Sequence, residues 1–340
     1  MSQGNTIHEA VMPYVRSGGI THYYAACGTL SQGVLQRSSH LPGGRCFFDL
    51  SSLTKALVTT PLMLRLAEGR PLAEVEVPFA GERFSAVALL QHEAGLPFWR
   101  NLWVCLLHKP GDSRQTASAR LERFVQERPR GTRDSAYLYS DLGHMILSRW
   151  IEDKTQQSLD LYYRDFLETQ LGVNPALLFF APTQTQKEQS IISAYCPIRR
   201  RWLRGEVHDE NASALGGTSG HAGLFGAGDG VESFLLRFLS SAEGRKFLAA
   251  QLPPYEVARR SFLGWQVGMG LEPSLSSSSW ILGHQGFTGT LFWWEPARGH
   301  FGVFLTNRTV GARLVPWIQG LRRQVFSLQQ NLLSRGEICR

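Results

Sequence analysis

No apolar run in this 340-residue chain approaches the ~20 residues needed to span a bilayer. The first residues, MSQGNTIHEAVMPYVRSGG, lack a basic start, an unbroken apolar stretch and a small-residue cleavage site. The expectation is therefore a cytoplasmic protein with no membrane span. Cysteine is sparse: the five residues Cys27, Cys46, Cys105, Cys196 and Cys339 are scattered, and no two form a C-x-x-C pair. An odd, dispersed set suits reduced thiols rather than a disulfide framework. Cys27 and Cys46 lie in strand-like apolar stretches, where a thiol is a small core residue. None has the electropositive, exposed setting of a reactive cysteine.

Other signatures are missing too. No clustered zinc ligands appear, and His208, Asp209 and Glu210 lack an H-E-x-x-H partner pair, so they read as a loop held by hydrogen bonds. Gly226-Ala227-Gly228-Asp229-Gly230 has neither the spacing nor the preceding strand of a dinucleotide fingerprint. A G-x-S-x-G elbow is absent, which argues against an α/β-hydrolase. Acidic residues are the minority, 28 against 35 lysines and arginines, for a net charge of +7. The dense basic cluster, Arg199-Arg200-Arg201 with Arg204, has no interleaved base-stacking platform, because Trp293-Trp294 and Phe179-Phe180 sit in apolar runs that read as core. The charge reads as a solvated basic surface or an affinity for anionic substrates, not as nucleic-acid binding.

What is present is globular: 43% hydrophobic and 19% charged residues. Residues 7–16 have helical spacing, stopped by Gly18-Gly19. Ile20 to Cys27 and about Cys46 to Asp49 read as strands. A helix begins at Ser51-Ser52 and runs to Gly69, with Pro61 expected to kink or restart it. Helical signals dominate to about residue 200, at Phe84 to Gln91, Ser118 to Gln126, Leu142 to Asp153 and Ser158 to Leu171. A Gly-rich stretch, Gly216 to Gly230, precedes a helix at Val231 to Leu239. Strands follow at 280–282, 288–294 and 301–306, the last two joined as a hairpin, and Leu314 to Leu333 is a basic amphipathic helix. The pattern predicts an α+β fold in which both chain ends build one antiparallel sheet flanked by helices, with a helical subdomain inserted between. We expect one catalytic unit over 1–340, its sheet part at about 1–56 and 201–340 and its helical subdomain at about 57–200. The groove between the two parts is the natural place for a site.

Three groups carry chemistry. In Ser52-Leu53-Thr54-Lys55, residues three apart on a helix share a face, so Lys55 projects beside the Ser52 hydroxyl. A serine is a weak nucleophile until a neighbouring base takes its proton, and a lysine desolvated in a cleft can have its pKa lowered enough to help. Tyr139 facing an ammonium should ionise more readily than at its free pKa of about 10 and serve as general base. His284-Gln285-Gly286, on a strand, offers a side chain to anchor a substrate carboxylate and a glycine that lets substrate backbone approach closely. Taken singly, each has a plainer reading: an N-cap serine with an exposed lysine, a packed tyrosine, a structural histidine.

Together, the order SxxK, YSx, HxG at separations of about 90 and 145 residues resembles the family of class C β-lactamases, D-alanyl-D-alanine carboxypeptidases and related serine esterases. Phe48 to Lys55 is similar to that family's nucleophile segment, Leu89 to Pro97 to the helix and turn after it, Tyr139 to Gly143 to its YxN loop, and Gly283 to Thr290, GHQGFTGT, to its third motif strand. Val207 to Ala212 and Gly220 to Phe225 resemble segments of one branch. The resemblance implies a β-lactamase/transpeptidase-like fold and a serine hydrolase acting on a small ester, amide or peptide substrate, with no metal or organic cofactor. It assigns the nucleophile to Ser52, proton shuttling to Lys55 and Tyr139, the oxyanion hole to the N–H groups of Ser52 and Phe287, and substrate contacts to Asp141, His284 and Gly286.

The chain also departs from the family. Asp141 replaces the usual Asn and should hold Lys55 protonated. His284 and Gln285 replace Lys and Thr, and a partly charged histidine is a weaker anchor, which favours esterase or peptidase over β-lactam turnover. The alternative is a catalytically idle binding or sensing protein on the same scaffold.

Overall fold

The strands in chain order are β1 (Tyr23–Thr29), β2 (Gly33–His40), β3 (Phe48–Asp49), β4 (Glu76–Phe79), β5 (Glu82–Ser85), β6 (Leu178–Phe179), β7 (Ile192–Cys196), β8 (Arg201–Arg204), β9 (Phe225–Gly226), β10 (Ser261–Phe262), β11 (Trp265–Val267), β12 (Leu282–Gln285), β13 (Leu291–Glu295) and β14 (His300–Thr306). The structure, a computed structural model, describes residues 6–107, 113–127, 137–250, 260–271 and 280–335. Cys105 and Cys339 lie outside the residues whose side chains are described.

Seven strands form an antiparallel sheet in the order β10-β11-β12-β13-β14-β1-β2. Both chain ends supply it, as the sequence predicts. The two-residue period of β1 decides what each face buries. Tyr23, Ala25 and Cys27 point to a core that includes Ile7, Val11, Trp293, Leu321 and Val325, beneath helices Ile7–Arg16 and Trp317–Arg335. Tyr24 and Ala26 point to the larger core shared with the middle of the chain. The first helix starts at a capping box in which Thr6 and Glu9 satisfy each other's backbone N–H. Edge strand β2 has no buried residue and a polar sequence, GVLQRSSH, so it carries no hydrophobic alternation to read.

Two expectations change on folding. The strand ending at Asp49 does not join the large sheet: β3 pairs with β9, and β9 with β6, in a separate three-stranded sheet. The segment 57–200 also contains strands, the β4-β5 hairpin together with β6 and β7. Pro61 does restart the helix: a π-helical turn at Lys55–Thr59 hands over to an α-helix at Thr60–Leu66, with the proline in its first turn, where its missing N–H costs nothing. Among the described residues, no helix is long and apolar enough to cross a membrane.

The C-terminal helix is fastened to the sheet by a buried amide. Gln329 accepts from Trp293 Nε1 at 2.7 Å and donates to the carbonyls of Ala26 and Val303 at 2.9 and 3.0 Å. Gly302 leaves room for the indole, since a Cβ there would stand 2.2 Å from Trp293 Nε1. Replacing Gln329 by Leu should cost about 2–3 kcal/mol in urea unfolding, because the Trp293 N–H is left buried without a partner. Adding Trp293→Phe should cost less than the sum of the two single changes; strict additivity would deny the coupling.

Candidate active site

The site begins at Asp49, buried at the end of β3. Its Oδ1 accepts the Ser51 N–H at 2.8 Å and its Oδ2 the His208 N–H at 2.6 Å. Burial raises this carboxyl to a pKa of about 6, against the pull of those two donors. The turn they close puts Ser51 in the left-handed region at φ 50° and delivers Ser52 to the first turn of the helix. The Lys55 N–H then bonds the Ser52 carbonyl at 3.1 Å, and the two side chains share a face.

Lys55 is fully buried. Its Nζ donates to Ser52 Oγ and to the His221 carbonyl, both at 3.0 Å, and forms an ion pair with Asp141 Oδ1 at 2.8 Å. Tyr139 stands beside them, its ring centre 5.1 Å from Lys55 Nζ, and lines the same cavity as Ser52. Alcohol, ammonium, phenol and carboxylate therefore meet on one side of a cavity of about 510 Å³, lined by Ser51, Ser52, Tyr139, Asp141, Gly286 and Phe287 among others. Ser140, in extended conformation, precedes helix Asp141–Thr155, and its N–H and carbonyl meet His92 Nδ1 at 3.1 and 3.0 Å, which fixes the Tyr139–Asp141 loop.

The charges follow from burial and partners. Desolvation works against the Lys55 ammonium, but its partners, the Asp141 carboxylate first, more than offset it, so Lys55 stays protonated well above the ordinary lysine value. This agrees with the effect expected of Asp141. Tyr139 corrects an expectation: burial outweighs the pull of Lys55, its phenol is raised above 10, and at neutral pH it is a neutral hydroxyl.

His284 corrects another. It is fully buried, and desolvation, then Lys55, hold it well below the ordinary imidazole value, so it carries no charge with which to anchor a carboxylate. Its ring lies 6.4 Å from that of Tyr139, in a buried group with His92 and His144 whose pKa values are lowered by burial first. The residues of this motif that line the cavity are Gln285 and Gly286.

The cavity's cations come instead from arginines the motifs did not flag. Arg308 Nε donates to the Phe287 carbonyl at 2.6 Å with its guanidinium 4.4 Å from that ring's centre, and Arg322 Nη2 donates to the Gly286 carbonyl at 2.6 Å. Burial lowers their pKa values to about 10 and about 9, and both remain charged at neutral pH. Arg313 is paired with Glu210. Phe287, expected in the oxyanion hole, donates its N–H to Ser51 Oγ at 3.2 Å. The Val207–Ala212 segment is held by hydrogen bonds, as expected, with Asp209 bonding the N–H of Ala212 and the ring of His221.

The comparisons with known proteins agree with this architecture. The family model described as Beta-lactamase matches residues 15–321. The chain belongs to that family. It is 27% identical over 311 residues to the N-acetylmuramyl-L-alanine amidase of Bacillus subtilis (strain 168), covering 78% of this chain and 68% of the amidase. It is 30% identical over 198 residues to a protein of Escherichia coli (strain K12) named "Putative D-alanyl-D-alanine carboxypeptidase", covering 51% of this chain and 45% of that one, so it spans under half of that relative's length. The class C beta lactamase of Rhodobacter sphaeroides shares the fold, with a TM-score of 0.68 and 14% identity over 97% of this chain and 100% of the other.

Asp49 yields a prediction whose sign is fixed by linkage. A carboxyl raised from 3.8 to about 6 on folding contributes stability that is full below the unfolded value and is lost as pH rises through the folded one. The stability of the wild type relative to Asp49→Asn should therefore fall by about 3 kcal/mol between pH 3.5 and pH 7, measured by urea unfolding. A difference that grows with pH would refute the assignment.

Proposed function

We propose that this protein is an acyl-serine hydrolase that cleaves amides of small acyl groups or of peptides, with Ser52 as nucleophile. The observation that carries the reading is the single network joining Ser52, Lys55, Tyr139 and Asp141 at the cavity. The relatives named as an amidase and a carboxypeptidase support an amide substrate over an ester.

The protonation states favour a particular route. Lys55 has its donors committed to Ser52, His221 and Asp141, and as an ammonium it cannot accept the Ser52 proton. Tyr139, beside Ser52 in the same cavity, can accept it provided the phenol gives up its own proton in the same step. The leaving amide nitrogen takes that proton. Ser52 Oγ bonds to the acyl carbon, the C–N bond breaks, and a neutral amine departs. Deacylation runs the relay backwards: water adds to the acyl carbon, its proton passes through Tyr139, and Ser52 Oγ leaves as the hydroxyl. No phenolate accumulates, and the ammonium lends positive potential to the serine oxygen throughout. The N–H groups of Ser52 and Phe287 would hold the carbonyl oxygen as charge develops on it, with Asp141 and Gly286 against the substrate.

A fluorophosphonate probe should label the wild type and fail to label Ser52→Ala; labelling that persists in the mutant would move the nucleophile elsewhere. Tyr139→Phe should lower turnover of amino-acid or peptide anilides by about 10²–10⁴. With Lys55 and Tyr139 both raised and His284 lowered, kcat/KM should be flat from pH 7 to 8, falling only as Arg322, at about 9, loses its charge. A step near 7.5 with an N-acylated anilide, which has no titrating amine of its own, would reject the neutral relay. Intact-mass spectrometry that finds a lasting adduct without turnover would favour a binding or sensing protein instead.

A further inference from the structure

The oxyanion hole of the proposed reaction needs the Phe287 N–H free to meet substrate. That donor is already engaged: it points at Ser51 Oγ, 3.2 Å away. Ser51 is 5% exposed and lines the same cavity as Ser52, so its hydroxyl stands where an incoming carbonyl oxygen would seek this N–H.

The surroundings decide which partner can move. The peptides on either side of Phe287 are gripped from outside: Arg322 holds the Gly286 carbonyl, in the peptide that bears the Phe287 N–H, and Arg308 holds the Phe287 carbonyl, in the next, each at 2.6 Å. Thr288 and Thr290 tie the same turn to the carbonyls of Asp49 and Leu50 at 2.7 and 3.1 Å. The backbone of Ser51 is equally fixed: its N–H is held by Asp49 at 2.8 Å, and its carbonyl accepts the Thr54 hydroxyl at 2.6 Å. Two rigid pieces of backbone face each other, and the freedom that remains is the χ1 rotation of Ser51 between staggered wells.

We infer that Ser51 is a rotamer gate on the oxyanion hole, its hydroxyl filling the place of the substrate oxygen at rest and turning away when substrate binds; the inference rests on the acyl-serine reading above. A substrate must then displace an internal acceptor, which penalises weakly anchored acyl groups. Ser51 would therefore shape specificity without touching the proton relay.

The test uses the rate of acylation by a fluorophosphonate, whose phosphoryl oxygen enters the same hole, and the inhibition constant of an aryl boronic acid. Ser51→Ala removes the hydroxyl and keeps Cβ. Ser51→Gly removes both, and glycine adopts φ 50° without strain. Both variants should acylate about 5-fold faster than the wild type and bind the boronic acid about 5-fold tighter, the range expected when one net hydrogen bond no longer competes. Thermal stability should move the other way, falling slightly as the resting bond is lost. A merely structural hydroxyl would lower stability and acylation together. Acylation unchanged or slowed in both variants, with the wild type labelled at Ser52, would overturn the gate and leave the hydrolase reading intact. A wild type that is never labelled would instead overturn the reading beneath it.

Discussion

A lysine ammonium buried without exposure to water is the constraint around which this molecule is arranged. Leaving such a charge unpaired costs several kcal/mol, so the fold has to bring partners to it from distant segments. Lys55 receives a hydroxyl from its own helix, a carboxylate from the first residue of helix Asp141–Thr155, and a carbonyl from the Gly-rich stretch. The third partner has supports of its own. His221 is held through its ring by Ser219 at 2.8 Å and Asp209 at 3.0 Å, which fixes the direction of the carbonyl that meets the ammonium. Satisfying one cation thus aligns three stretches of chain and, with them, Tyr139.

The opposite wall follows a similar logic with carbonyls in place of carboxylates. Among the described residues, Arg308 and Arg322 form no ion pair with a carboxylate; they hold two consecutive carbonyls of the turn after β12. Each bond is charge-assisted and stiffens the peptide whose N–H faces Ser51. Uncompensated guanidiniums also leave positive potential in a desolvated cavity, which suits a developing oxyanion better than a resting neutral carbonyl. Rigidity and field have the same source here.

Much of this was legible in the sequence where a local rule fixes geometry. The S-x-x-K spacing puts Ser52 and Lys55 on one helical face whatever surrounds them, and the alternating apolar runs at both chain ends pair into one sheet because neither can bury itself alone. What stayed hidden depends on distance and burial. Nothing in GHQGFTGT tells that His284 faces Tyr139 and two other buried imidazoles while Gln285 faces the cavity; that is settled by the register His284↔Phe292 and by the helices packed over it. Arg308 and Arg322 carry no motif, and reach the site because β14 ends and the C-terminal helix begins beside it. The protonation state of Tyr139 is hidden for a related reason. A neighbouring ammonium was visible in the pattern, but the desolvation that outweighs it is a property of the packed site.

The aspartate at position 141 shows how these terms combine. With a neutral side chain there, the buried Lys55 would keep its desolvation penalty and lose its strongest opposing charge, so its pKa would fall and the amine would become a credible base for Ser52. With a carboxylate, the cation is fixed and that route closes. On the proposed reading, the proton of Ser52 then leaves through a group that is neutral before and after the step, and the phenol beside the serine meets that condition because its own burial disfavours the phenolate. Under this argument the carboxylate does not weaken the site; it moves the proton's path from the amine to the phenol. Such a path serves a leaving group that accepts a proton as it departs, as an amide nitrogen or an alkyl-ester oxygen must and as a phenoxide need not. On the proposed reading, the substitution that looks most damaging in the sequence is thereby the one that fixes the proton's route.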